Sequence, residues 1–201
     1  MKHITEFQNY KQDIFIVDVQ KSFKKYFTDT YLEKLKEHCK QFTNVYQIWD
    51  NHIDKDSDSD YLYDHNPKIP NHPDLYKFPN QKKLIEKRYN YNVDADFYKK
   101  ILTEKNWNKI SEMEENKTIK KGDIFPTIEG TVIVYIGNNH KWFHSPKKLY
   151  NIFNDLKGKS IEIVGGADNE CLDDVFTLAE SMGVKPTRNH QFIYSATHCP
   201  L

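Results

Sequence analysis

Cys171 is the residue whose placement most directly suggests chemistry. It follows a short apolar run, Ile161-Glu162-Ile163-Val164, then Gly165-Gly166, and it opens an amphipathic segment at about 169–182 that Gly183 closes. A thiol at a helix start feels the positive end of the helix dipole and unpaired N–H groups, which favour thiolate and offer donors for an oxyanion. Asp168 and Glu170 flank the thiol and act the other way unless they point into water. A cysteine in such a position also packs well as a small buried hydrophobe, so position alone leaves both readings open. Other ionisable groups stand at comparable places: Asp18 after Asp13–Val17, Asp50 and His52 after Asn44–Trp49, and Lys87 after Leu84-Ile85-Glu86.

The elements that must position these groups follow from hydrophobic patterning. Runs at 13–18, 44–49, 83–89, 131–136, 161–166 and 191–194 read as strands, the fourth by its β-branched content. Helices are expected at 29–41, 94–102, 145–156 and 169–182, with Ser145 capping the third and Pro146 in its first turn. Strand and helix alternate, which predicts an α/β fold: a three-layer α/β/α arrangement around a mostly parallel sheet of about six strands. In such sheets chemistry collects at the carboxyl ends of the strands, where Asp18, Asp50, Lys87 and Cys171 fall.

The chain has 201 residues, a length that suits one domain. Its 29 basic and 29 acidic residues cancel, so no overall field marks a nucleic-acid or membrane-surface binder. Mean hydropathy is −0.81, close to that of disordered chains, but 14% aromatic residues argue for a packed core. Two stretches carry much of the polarity. Residues 51–81 hold four prolines and the alternating Asp54, Asp56, Asp58 and Asp60, and residues 103–123 are charged and read as an exposed insertion. Three cysteines at unrelated spacings make neither a disulfide framework nor a thiolate zinc site, and a reducing, cytoplasmic setting is expected. Met1-Lys2-His3-Ile4-Thr5-Glu6 has no apolar signal core, and no apolar run is long enough to span a membrane. Abundant Lys, Asn, Ile and Tyr suit an A/T-rich genome such as that of a phage or other virus, whose host cytoplasm would then be the compartment.

Taken in order, these residues carry a resemblance. Asp18-Val19-Gln20-Lys21-Ser22-Phe23 resembles the D-x-Q-x-x-F opening of the isochorismatase-like cysteine hydrolases. Gly165-Gly166-Ala167-Asp168-Asn169-Glu170-Cys171-Leu172 is similar to their nucleophile turn, with Asp168 in place of the usual threonine. Asp50-Asn51-His52 falls where members carry D-W-H. The likeness covers about 13–52 and 160–195 and leaves the middle unmatched. It implies an Asp–Lys–Cys triad in which Asp18 is the base, Cys171 the nucleophile and Lys87 the stabilising cation. It also implies a cis Gly166–Ala167 bond, oxyanion and turn roles for Gly166, Ala167 and Glu170, and a pocket involving Gln20, Phe23 and Trp49. The lysine stays open: if the strand at 131–136 is the counterpart of the family's lysine strand, its end offers Tyr135, Ile136 and Gly137 and no lysine.

The implied reaction is hydrolysis of a C–N bond in a small amide through a thioester, with nicotinamide as the leading substrate and no cofactor required for the thioester step. Asp50 and His52, with His72 or else His65, resemble the nicotinamidase metal site, so Zn2+ or another divalent ion is a candidate. The partners implied are a small-molecule amide and further copies of the chain, with no nucleic acid and no membrane. The alternative is the same scaffold with an incomplete triad, serving to bind a protein, a small molecule or a nucleotide derivative.

Overall fold

The computed structural model describes residues 11–50, 75–87, 95–137 and 141–195. Five strands form one parallel sheet: β1 (Lys11–Val17), β2 (Phe42–Asp50), β3 (Gln81–Lys87), β7 (Ser160–Gly165) and β8 (Lys185–Ile193), ordered β3-β2-β1-β7-β8. β1 is central because its residues have no polar face. Ile14, Phe15, Ile16 and Val17 are all fully buried, as a strand covered on both sides requires. Alternation then divides them between two cores. Ile14 and Ile16 pack with Tyr31, Leu32 and Leu35 of α1 (Asp29–Cys39). Phe15 and Val17 pack on the other side with Leu149 and Phe153 of α4 (Lys147–Asp155) and Leu172 and Val175 of α5 (Cys171–Ser181).

The expected strand near 131–136 exists but belongs elsewhere. β5 (Val132–Tyr135) pairs antiparallel with β4 (Ile124–Pro126) and β6 (Trp142–His144) in a separate three-stranded sheet. The reason is connection length: a parallel return needs a crossover of about a dozen residues, and only 136–141 separate β5 from β6. Among the described residues the parallel sheet therefore has five strands rather than about six.

Two further readings change. Residues 103–123 are not simply an exposed insertion: α3 (Glu104–Glu115) starts on a Thr103 side-chain cap and buries Ile110 beside Tyr98, Leu102 and Phe125. Trp107, Ile110 and Met113 at three-residue spacing form a stripe too narrow to raise the local hydropathy. Ser145 does not cap α4; it is fully buried, its hydroxyl bonds the Pro146 carbonyl at 3.3 Å, and Pro146 holds the cap position. The remaining helix, α2 (Ala95–Ile101), lies within its expected range, and β8 is longer than expected. Among the described residues no helix is long and apolar enough to cross a membrane.

Candidate functional site

The carboxyl ends of β1, β3 and β7 converge on one buried ion pair and one thiol. β1 ends at Asp18, which takes a left-handed backbone with φ of +54°, a conformation Asp tolerates better than most residues. Its N–H donates to the Ile48 carbonyl (2.9 Å), and its own carbonyl accepts the Tyr194 hydroxyl at 2.7 Å. β3 delivers Lys87, whose Nζ lies 2.8 Å from Asp18 Oδ2; both side chains are only 1% exposed. Because β5 lies outside the parallel sheet, β3 is an edge strand beside β2, and Lys87 stands in register with Asp50. The lysine left open by the sequence is thus brought to Asp18.

Cys171 reaches the pair through a tightly built turn. Gly165 has φ of +105°, and a Cβ there would stand 2.0 Å from the Val17 carbonyl oxygen, so only glycine lets β7 close against the end of β1. At Gly166 a Cβ would meet the Tyr194 ring at 2.5 Å. The Gly166–Ala167 bond is cis. Gly166 N–H donates to the Val17 carbonyl, and the N–H groups of Glu170 and Leu172 both donate to the Ala167 carbonyl. Among the described residues, the N–H groups of Ala167 and Cys171 donate to no backbone carbonyl. Gly166 and Glu170 therefore shape the turn with their N–H groups, whereas those of Ala167 and Cys171 take no part in its backbone bonds.

The thiol and the Asp18 carboxylate act on each other's ionisation within this buried cluster. The helix start was expected to favour thiolate, but burial wins: it pushes the thiol well above its ordinary value, Asp18 and Asp174 push further, and Lys87 opposes them. The resting group is the neutral thiol. Burial also raises Asp18 to about 6, against the pull of Lys87 and with a push from Asp50. Lys87 goes well above the usual lysine range even though burial works against it, because Asp18, Cys171 and Asp50 all favour its charge. A neutral thiol near an ionised carboxylate that a buried ammonium holds in place is an arrangement that can deprotonate sulfur during attack.

The other expected residues fall at varied distances from this centre. The Gln20 amide, fully buried, donates from Nε2 to the Asp50 carbonyl (3.0 Å) and to Ser22 (2.9 Å) and accepts the Asp50 N–H at 2.9 Å, so it clamps the end of β2. Phe23 is half-buried against the α1 side of the core, and Trp49 is buried in β2 beside Asp50. Of the expected metal ligands only Asp50 lies among the described residues; His52, His65 and His72 lie outside them. Among the described residues no three His, Cys, Asp or Glu side chains gather as a metal site, so these residues alone do not make one. A cavity of about 460 Å3 lined by Asp13, Phe42, Lys159 and Glu162 opens at the amino ends of the strands, away from Asp18 and Lys87.

Tyr194 and Arg188 are absent from the sequence expectations although both touch the centre or its turn. The adjacent glycines at 165–166 announce a close approach, but nothing local names Tyr194 as the group that approaches. No protein-family model, curated protein or solved structure matches the chain.

Proposed function

We propose that the chain is a divergent isochorismatase-like cysteine hydrolase that cleaves the C–N bond of a small amide, nicotinamide being the first substrate to try. The observation that carries this reading is the 2.8 Å contact of Lys87 with Asp18, a buried pair whose charges act on the Cys171 thiol. Asp18 takes the thiol proton as sulfur bonds the carbonyl carbon, and the N–H groups of Ala167 and Cys171 receive the developing oxyanion. Collapse breaks the C–N bond, and the proton on Asp18 leaves with ammonia or the amine. Water then attacks the thioester, Asp18 accepts its proton, and that proton returns to sulfur as the acid departs. Lys87 favours ionised Asp18 at rest, so that the carboxylate is ready to take a proton at each step.

The test is ammonia release from a panel of small primary amides, nicotinamide among them. The base works only when ionised, so kcat/KM should fall tenfold per pH unit below about 6, where Asp18 is protonated. Lys87 stays charged through the alkaline range and should add no limb below pH 10. No ammonia from any amide, or a profile flat from pH 5 to 8, would count against the reading.

A further inference from the structure

Arg188 joins the two carboxylates that bracket the nucleophile in sequence. From β8 its Nη1 reaches Asp168 Oδ1 at 2.8 Å, and its Nη2 bonds Asp173 Oδ1. Asp168 lies three residues before Cys171, and Asp173 lies two after it, in the first turn of α5. One guanidinium therefore ties the turn to the helix across the residue that carries sulfur. The fork is itself held. Its plane lies over the Phe176 ring at 4.5 Å, and Lys121 Nζ takes the other oxygen of Asp173 at 2.6 Å. The β8 end grips the same turn through its backbone, with Tyr194 N–H on the Gly165 carbonyl (2.9 Å) and Asp168 N–H on the Tyr194 carbonyl (2.8 Å). Asp173 is 9% exposed and Arg188 22%, so bulk water screens this network only in part.

We infer that Arg188 is a positioning residue for Cys171, fixing the nucleophile turn against α5 and cancelling the two flanking carboxylate charges. This rests on the reading of Cys171 as a nucleophile. The charge balance around the thiol shows why the residue matters. Asp18 at the end of β1 and Asp174 of α5 act on the thiol itself, and Asp50 of β2 acts on Asp18 and Lys87. Tyr194 after β8 feels both Asp18 and Cys171, while Asp168 and Glu170 of the turn and Asp173 of α5 are near Cys171 in sequence. Against these carboxylates stand Lys87, Lys121 and Arg188. Asp168 takes the place of the threonine of the resembling turn, and Arg188 is the group that neutralises it. Without the guanidinium Asp168 and Asp173, three residues before and two after Cys171, would each lose a counter-charge, and uncancelled negative charge in the turn disfavours a forming thiolate.

The experiment is the pH profile of Cys171 alkylation by iodoacetamide, followed by peptide mass, with thermal unfolding measured alongside. Arg188→Gln should move the profile up by about one pH unit, so that alkylation at pH 7 slows about tenfold. Arg188→Lys should recover part of this, because a single ammonium cannot fork between two carboxylates. Arg188→Gln combined with Asp168→Asn should return the profile toward that of the native chain. Asp168→Asn alone, which keeps the arm to Asp173, should move it to lower pH and remains informative if the arginine variants fold poorly. Profiles unmoved in all variants, with only the unfolding temperature lowered, would overturn the inference and leave Arg188 a structural brace. A native Cys171 that no reagent alkylates at any pH would instead overturn the nucleophile reading beneath it.

Discussion

Replacing Cys171 by alanine is expected to reduce amide turnover by about four orders of magnitude or more while leaving the fold in place. The size follows from the mechanism: without sulfur there is no thioester, and what survives is the modest help of oxyanion donors and substrate positioning. The structural cost should be small, about 1 kcal/mol, because the side chain lost is short even though it lies in the core beside Leu172 and Val175. Cys171→Ser should be nearly as inactive, since Asp18 at about 6 is too weak a base for an alcohol. Steady-state ammonia release and thermal unfolding of the same preparations separate the two effects. Turnover retained in the alanine variant would place the nucleophile elsewhere.

Lys87→Met should damage both stability and catalysis. Methionine matches the length of the lysine stem but leaves Asp18, about 1% exposed, without the ammonium that pairs with it. Removing one partner of a buried pair costs about 3–5 kcal/mol, which in a chain of this size lowers the unfolding midpoint by about 10 °C. The pH dependence identifies the cause. Losing the ammonium raises the folded-state pKa of Asp18 further above its unfolded value. The stability linked to protonated Asp18 is fully present at low pH and lost as pH rises through that raised pKa. The gap between variant and native chain should therefore be narrow near pH 4.5 and wide at pH 8. Turnover at pH 7 should drop by about a hundredfold or more, because most of Asp18 would then be protonated. A gap of the same width at both pH values would mean that Lys87 acts by packing rather than as a counter-charge.

Much of the scaffold could be read from patterning because its signals were local. β1 announces itself as a doubly covered strand through Ile14-Phe15-Ile16-Val17, and α5 through a glycine turn, an amphipathic stripe and Gly183. What local pattern could not show was pairing. Val132–Tyr135 has the composition of a buried parallel strand, and only the short return at 136–141 marks it as part of a hairpin. That one misplacement is what left the lysine open, because the sheet neighbour of β2 decides whether Lys87 meets Asp18. The state of the thiol was hidden for a different reason. A helix start and a buried site push it in opposite directions, and burial is a property of the assembled core. Arg188 was invisible because its partners are 15 and 20 residues away and meet it only across the β7–β8 edge.

The central claim is a covalent bond between substrate and Cys171, and acid quench of the native chain during turnover, followed by intact-protein and peptide mass measurement, tests it most directly. The expected result is a mass increase equal to the substrate's acyl group, confined to the peptide containing Cys171, absent from Cys171→Ala and released by hydroxylamine as a thioester. Continued turnover with the acyl group on another residue, or with no adduct at Cys171 even when hydrolysis is slowed by cold, would contradict it.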